Sequence, residues 1–242
     1  MKILLAGDST VANCPTNEYP MSGWGAQLPQ HVYSWAAVHN FAKGGASTES
    51  FRAEGLWGQL LETAEAGDLV LIQFGHNDQK KAHLAARTGY TANLRTMVAE
   101  VRALGAGPVL CTSVERRHFL DGTGPHGVLE ESLEDYPEVV REIALELRLP
   151  FIDLNSWTRA RYVELGVEES KSLFCHFGPG EHAFWPAGLA DNTHFSQSGA
   201  SLVAAEVAAQ LLRLGFPGRS DSPDGMTAGR TTAAGTAAGV RG

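Results

Sequence analysis

Five short apolar runs, at roughly residues 2–7, 37–42, 68–74, 107–114 and 150–154, alternate along this chain with stretches of helical periodicity. That alternation admits few folds. Strands joined by a helical crossover pair in parallel, and right-handed crossovers place helices on both faces of the sheet. Strands covered on both faces are apolar throughout rather than alternating, as Leu69-Val70-Leu71-Ile72 is. Apolar residues recur at three- and four-residue steps over 24–35, 50–66, 90–105, 133–147 and 198–214, which predicts helices there. Gly105 and Gly215 stand where helix stops belong. The expected architecture is α/β, a flavodoxin-like three-layer sandwich whose five-stranded parallel sheet runs in the order 2-1-3-4-5.

A chain of 242 residues, 43% of them apolar, suits one domain with a substantial core, expected over 1–218. Residues 219–242 are rich in Gly, Ala, Thr and Ser and poor in large apolar side chains. Burial there cannot offset ordering entropy, so a disordered tail is expected. The net charge of −8 argues against nucleic acid as a partner and against an anionic membrane surface. No apolar run approaches the ~18 residues of a membrane span, and the few apolar residues before Gly7 are too short a run for a secretory leader. Cys14, Cys111 and Cys175 are widely spaced and offer neither a disulfide framework nor a zinc knuckle. These features together predict a cytoplasmic protein.

In the expected strand order, strands 2, 1 and 3 are neighbours. Their C-terminal ends then form one rim, the side on which open α/β sheets bind ligands. Strand 1 runs into Gly7-Asp8-Ser9, strand 2 into Gly44-Gly45-Ala46-Ser47, and strand 3 into Gly75-His76-Asn77-Asp78. The rim thus gathers a hydroxyl, a Gly-rich turn with free backbone N–H groups and an amide. Ahead of the last helical stretch, Asp191-Asn192-Thr193-His194 adds a carboxylate three residues from an imidazole it can orient. Acyl transfer needs this equipment: a nucleophile, a base, and donors aimed at the developing oxyanion. Each element alone has a plainer meaning as a turn, loop punctuation or a structural histidine. Their joint placement favours catalysis.

These four blocks, in this order, resemble the SGNH (GDSL-type) hydrolases, with Ser9, Gly45, Asn77 and His194 at the four name-giving positions and Thr10 where the GDSL motif has Leu. Gly7-Asp8-Ser9-Thr10, Gly23-Trp24-Gly25, Phe74-Gly75-His76-Asn77-Asp78 and the segments 40–47, 179–182 and 191–196 resemble the rhamnogalacturonan acetylesterase branch. The likeness runs from residue 3 to about residue 214. It implies a serine esterase that removes acetyl groups from pectic, rhamnogalacturonan-type oligosaccharide. Ser9, His194 and Asp191 would be its catalytic residues, with the Ser9 N–H, the Gly45 N–H and the Asn77 amide as the oxyanion hole. No cofactor or metal is implied. Ala46 departs from the branch, many of whose members carry Arg there.

Long connections at 76–89, 115–132 and 166–193 leave the same rim, as binding walls often do. Lys80-Lys81 and Arg116-Arg117-His118 are basic clusters in an acidic chain, suited either to uronate carboxylates or to a solvated loop surface. Trp185, close to the Asp191/His194 segment, is a candidate for stacking on sugar. Other readings fare worse. His118, His126, His176, His182 and His194 fit no compact metal-ligand spacing, and no carboxylate pair suggests a glycosidase. Gly-x-Gly-x-x-Gly at 122–127 contains a proline and opens no helix, while the lipase Gly-x-Ser-x-Gly elbow and the P-loop pattern are missing. Two alternatives stay open: an SGNH esterase for another acyl group, such as a lysophospholipase, thioesterase or acetylxylan type, and a non-catalytic flavodoxin-like binding module.

Overall fold

The computed structural model describes residues 1–120, 124 and 127–217. Strand β1 (Lys2–Gly7) leads through the short helices α1 (Trp24–Gln27) and α2 (Pro29–Val32) to β2 (Ala37–Asn40). Helices α3 (Thr48–Ala53) and α4 (Leu56–Thr63) precede β3 (Leu69–Gln73), and α5 (Thr91–Ala103) precedes β4 (Gly107–Cys111). Helix α6 (Tyr136–Leu147), β5 (Phe151–Ile152) and α7 (Leu154–Glu169) follow. An antiparallel pair, β6 (Phe174–Phe177) and β7 (Leu189–Phe195), then leads into α8 (Gln197–Arg213).

The main sheet is parallel throughout, in the order β2-β1-β3-β4-β5. Its two faces bury separate cores. Ile3, Leu5, Leu69, Leu71 and Val109 pack with Trp24, Leu28, Tyr162, Val203 and Val207. Leu4, Ala6, Val70, Ile72 and Leu110 pack with Phe51, Leu60, Leu94, Met97 and Ile143. Alternate strand residues therefore serve opposite cores, each buried aliphatic side chain contributing about 1.5–3 kcal/mol. This double burial is why β1, β3 and β4 read as apolar runs, whereas the edge strand β2 carries His39 and Asn40 and is partly exposed. No described helix is long and apolar enough to cross a membrane.

Several boundaries differ from expectation. The helix expected over 24–35 is two short helices, because Pro29 has no N–H to continue the ladder. The one expected over 50–66 breaks at Gly55, whose φ of +82° no helix accommodates. Within the connection expected over 166–193 lie the end of α7 and the β6–β7 hairpin. Helix α7 carries no clear apolar periodicity, because its buried stripe, which includes Leu154, Thr158 and Tyr162, is thin and partly polar. The expected tail over 219–242 and His126 lie outside the described residues, as does most of the 122–127 segment.

A buried polar chain ties the sheet to the turn after β1. Trp24 Nε1 donates to Gln73 Oε1 (2.8 Å), Gln73 Nε2 to Thr10 Oγ1 (2.6 Å), and the Thr10 hydroxyl to Asp8 Oδ1 (2.8 Å). Helix α1 approaches this turn so closely that a Cβ at Gly23 or Gly25 would sit 2.4 or 2.5 Å from Val11 backbone atoms. Only glycine permits that approach, which accounts for the Gly-Trp-Gly motif.

Candidate active site

The turn after β1 presents Ser9. Its fold is local: the Asp8 carbonyl accepts the Val11 and Ala12 N–H groups at 3.1 and 3.0 Å. The Asp8 carboxylate accepts the Thr10 N–H at 3.0 Å. Asp8 itself is fully buried. Burial pushes its carboxyl up, but the His76 ring, with Nδ1 3.3 Å from Oδ2, and the Thr10 bonds outweigh this and hold it below the usual range.

His194 Nε2 lies 3.0 Å from Ser9 Oγ, and His194 Nδ1 lies 2.7 Å from Asp191 Oδ2. The other carboxylate oxygen accepts the backbone N–H groups of Thr193 (2.7 Å) and His194 (2.8 Å). A single stretch of β7 thus orients its own carboxylate and, through it, the imidazole. Ionised Asp191 requires a proton on His194 Nδ1, which leaves a lone pair on Nε2 facing the serine. The bond to Asp191 raises the His194 pKa above its ordinary value, against the effect of burial. Burial pushes Asp191 up, yet its bonds to His194 and to the two backbone N–H groups prevail and hold it low.

Three donors belong to residues that line the same pocket as the imidazole. Among the described residues neither the Ser9 N–H nor the Gly45 N–H has a hydrogen-bond acceptor, and both residues line the pocket. Gly45 has φ +76°, while a Cβ there would meet nothing within 4 Å. Backbone twist rather than space calls for glycine at this turn. Asn77 Nδ2 donates to the Ala46 carbonyl (3.0 Å), and its Oδ1 accepts from Lys80 Nζ (3.0 Å). These opposed partners fix the amide orientation and leave one N–H free. Asp78, also buried, accepts the Thr48 N–H (3.0 Å) and hydroxyl (2.5 Å). The strand-3 loop therefore grips both neighbours: His76 holds the serine turn, while Asn77 and Asp78 hold the Gly45 loop. Burial pushes the Asp78 carboxyl up to about 6 despite the Thr48 bonds, and the Asp8 charge adds to the rise.

Around Ser9 lies a pocket of about 820 Å³. Of the residues singled out in the sequence, Ser9, Gly45, Asn77, Lys80, Arg116, Trp185, Asp191 and His194 line it. Arg117 does not, which corrects the expectation that it meets substrate. It is only 5% exposed, its guanidinium donating to Ser170 Oγ (2.8 Å), Asn192 Oδ1 (2.8 Å) and the Val167 carbonyl. Those bonds tie the 115–120 segment to α7 and β7. Lys81 pairs with Glu49 instead of facing the pocket. Arg116 and Lys80 form no ion pair among the described residues; Arg116 donates to Gln79 Oε1, to Ser132 and to the His76 carbonyl. The wall also includes Asn13, Cys14, Glu18 and Met21, from a loop that carries no motif and that sequence reasoning passed over. Among the described residues no three His, Cys, Asp or Glu side chains gather as a metal site.

The model of the GDSL-like lipase/acylhydrolase family matches residues 5–202. The chain is 44% identical over 217 residues to the rhamnogalacturonan acetylesterase RhgT of Bacillus subtilis, covering 90% of this chain and 92% of that protein. It is 34% identical to the probable rhamnogalacturonan acetylesterase YesY of the same organism, covering 89% and 94% respectively. The crystal structure of Bacillus subtilis YxiM superposes with a TM-score of 0.74 at 28% identity, covering 90% of this chain and 57% of that longer one. The protein belongs to the GDSL-like lipase/acylhydrolase family, the SGNH hydrolases.

Proposed function

We propose that the protein is a serine esterase that removes acetyl groups from acetylated pectic carbohydrate, of the rhamnogalacturonan type. The observation that carries this reading is the Asp191–His194–Ser9 relay, 2.7 and 3.0 Å long, opening onto unpaired donors. In the first step His194 Nε2 takes the Ser9 proton as Oγ attacks the acetyl carbonyl. The Ser9 and Gly45 N–H groups and the Asn77 amide receive the oxyanion. The C–O bond to the sugar then breaks, His194 gives its proton to the departing alkoxide, and acetyl-Ser9 remains. Water, deprotonated by the same imidazole, releases acetate and restores the serine.

Resemblance to RhgT supports the carbohydrate assignment. So do Lys80 and Arg116, two cations of the pocket wall without carboxylate partners among the described residues, since pectic chains carry uronate groups. The free thiols Cys14, Cys111 and Cys175 suit a reducing, cytoplasmic setting in which an imported oligosaccharide would be the substrate. The test is acetate release from acetylated rhamnogalacturonan, xylan and glucosamine oligosaccharides and from a long-chain acyl ester, with Ser9→Ala as blank. The pectic substrate is expected to give the highest kcat/KM. Faster turnover of the long-chain ester would overturn this reading.

A further inference from the structure

The proton that His194 takes from Ser9 must pass to the leaving oxygen, so the sugar bearing that oxygen sits on the His194 side of the pocket. That side is built by the β6–β7 hairpin, whose tip puts Trp185 into the pocket wall. The indole is backed by other rings. Phe177 packs nearly parallel to it, at 5.7 Å between centroids and 12° between planes, and His182 lies at 4.5 Å. Phe184 meets it edge-on at 5.2 Å and is itself 47% exposed, continuing the aromatic surface outward.

The tip is held in place rather than left loose. His182 Nε2 donates to the Tyr19 carbonyl (2.6 Å), and the Phe184 N–H donates to His182 Nδ1 (3.1 Å). Across the tip, the Gly180 N–H bonds the Pro186 carbonyl (3.0 Å) and the Gly188 N–H bonds that of Trp185 (2.9 Å). A ring already ordered by such bonds loses little freedom when a ligand covers it.

We propose that Trp185, backed by Phe177 and His182 and extended by Phe184, is a stacking platform for a pyranose ring of the substrate beyond the acetylated hydroxyl. The enzyme would then select an oligosaccharide over a monosaccharide. The polarised C–H face of a pyranose meets the negative face of the indole there, and its hydroxyls stay in water. This rests on the carbohydrate reading above and adds where the sugar lies.

The test compares kcat/KM for an acetylated oligosaccharide with that for p-nitrophenyl acetate in wild type, Trp185→Phe, Trp185→Leu and Trp185→Ala. Dividing the two constants for each variant cancels damage to the Ser9–His194 pair. The ratio is expected to fall about tenfold in the Leu and Ala variants, mostly through KM, and by less than about threefold in Trp185→Phe. A ratio unchanged in Leu and Ala overturns the platform, and so does an equal fall in Phe and Leu. Wild type that cleaves p-nitrophenyl acetate but no acetylated oligosaccharide overturns the carbohydrate reading and the platform together. Active wild type with unchanged ratios overturns the platform alone.

Discussion

Replacing Asp191 by Asn exchanges one carboxylate oxygen for an NH₂ group and changes nearly no volume, yet the structure predicts a large loss. In wild type Oδ1 accepts two backbone N–H groups, at 2.7 and 2.8 Å, while Oδ2 faces His194 Nδ1. The Asn amide can satisfy the backbone donors only with its oxygen. The opposite flip would strand both donors, at about 1–3 kcal/mol each. The amide NH₂ must therefore occupy the position of Oδ2 and donate to Nδ1. That forces the imidazole into the tautomer with its proton on Nε2, 3.0 Å from Ser9 Oγ. A donor now faces the serine where a base is needed. The same tautomer error in a serine protease triad costs about 10⁴ in turnover, or roughly 5.4 kcal/mol of barrier. The assay is kcat/KM for p-nitrophenyl acetate as a function of pH. Wild type is expected to gain activity as pH rises through an apparent pKa above 6.5, since His194 must be neutral to act and its pKa is raised. Asp191→Asn is expected to lose about four decades at the plateau. A loss smaller than about tenfold would refute the tautomer argument.

Other perturbations probe the remaining parts. Asn77→Ala removes the donor proposed for the oxyanion and should cost about 2.7–4 kcal/mol, a hundredfold or more in kcat, measured by acetate release. Asp78→Asn should shift the pH dependence of stability. A carboxyl raised from 3.8 to about 6 favours the fold when protonated and penalises it when charged, so wild type loses stability as pH rises through that window. Urea unfolding at about pH 4.5 and about pH 7.5 should show the variant gaining about 2 kcal/mol on wild type between the two, while no change would contradict the buried charge. The neighbouring arginines should separate cleanly. Arg116→Ala is expected to lower the preference for uronate-bearing over neutral acetylated sugars, whereas Arg117→Ala, which empties a buried hydrogen-bonded site, should lower Tm by thermal denaturation.

The rim is legible in the sequence because the central strands β1 and β3, buried on both faces, are largely apolar, and the Gly-rich turns after β1, β2 and β3 mark where the sheet ends. Ser9, Gly45 and Asn77 all sit within a few residues of such an end, so a strand order is enough to bring them together. The spacing of Asp191 and His194 conveys the third part, although both lie on β7 rather than on an isolated turn. What stays hidden has a physical reason too. Strand β6 has only four residues, β7 is largely polar and only partly buried along most of its length, and their pairing is irregular between Phe174 and His176, so no alternation survives to announce a hairpin. Arg116 and Arg117 are adjacent and chemically alike, yet one lines the pocket and the other is buried. Only the partners Ser170, Val167 and Asn192, 50 to 75 residues away, decide which. Likewise, nothing local marks His76 as the group that holds Asp8.

The account depends above all on Ser9 being a nucleophile activated by His194. Incubation with a fluorophosphonate, followed by intact mass and peptide mapping, measures this directly. The structure predicts one adduct, on the peptide containing Ser9, formed far more slowly in His194→Ala and not at all in Ser9→Ala. Wild type that acquires no adduct, or acquires it on another residue, would contradict the central claim.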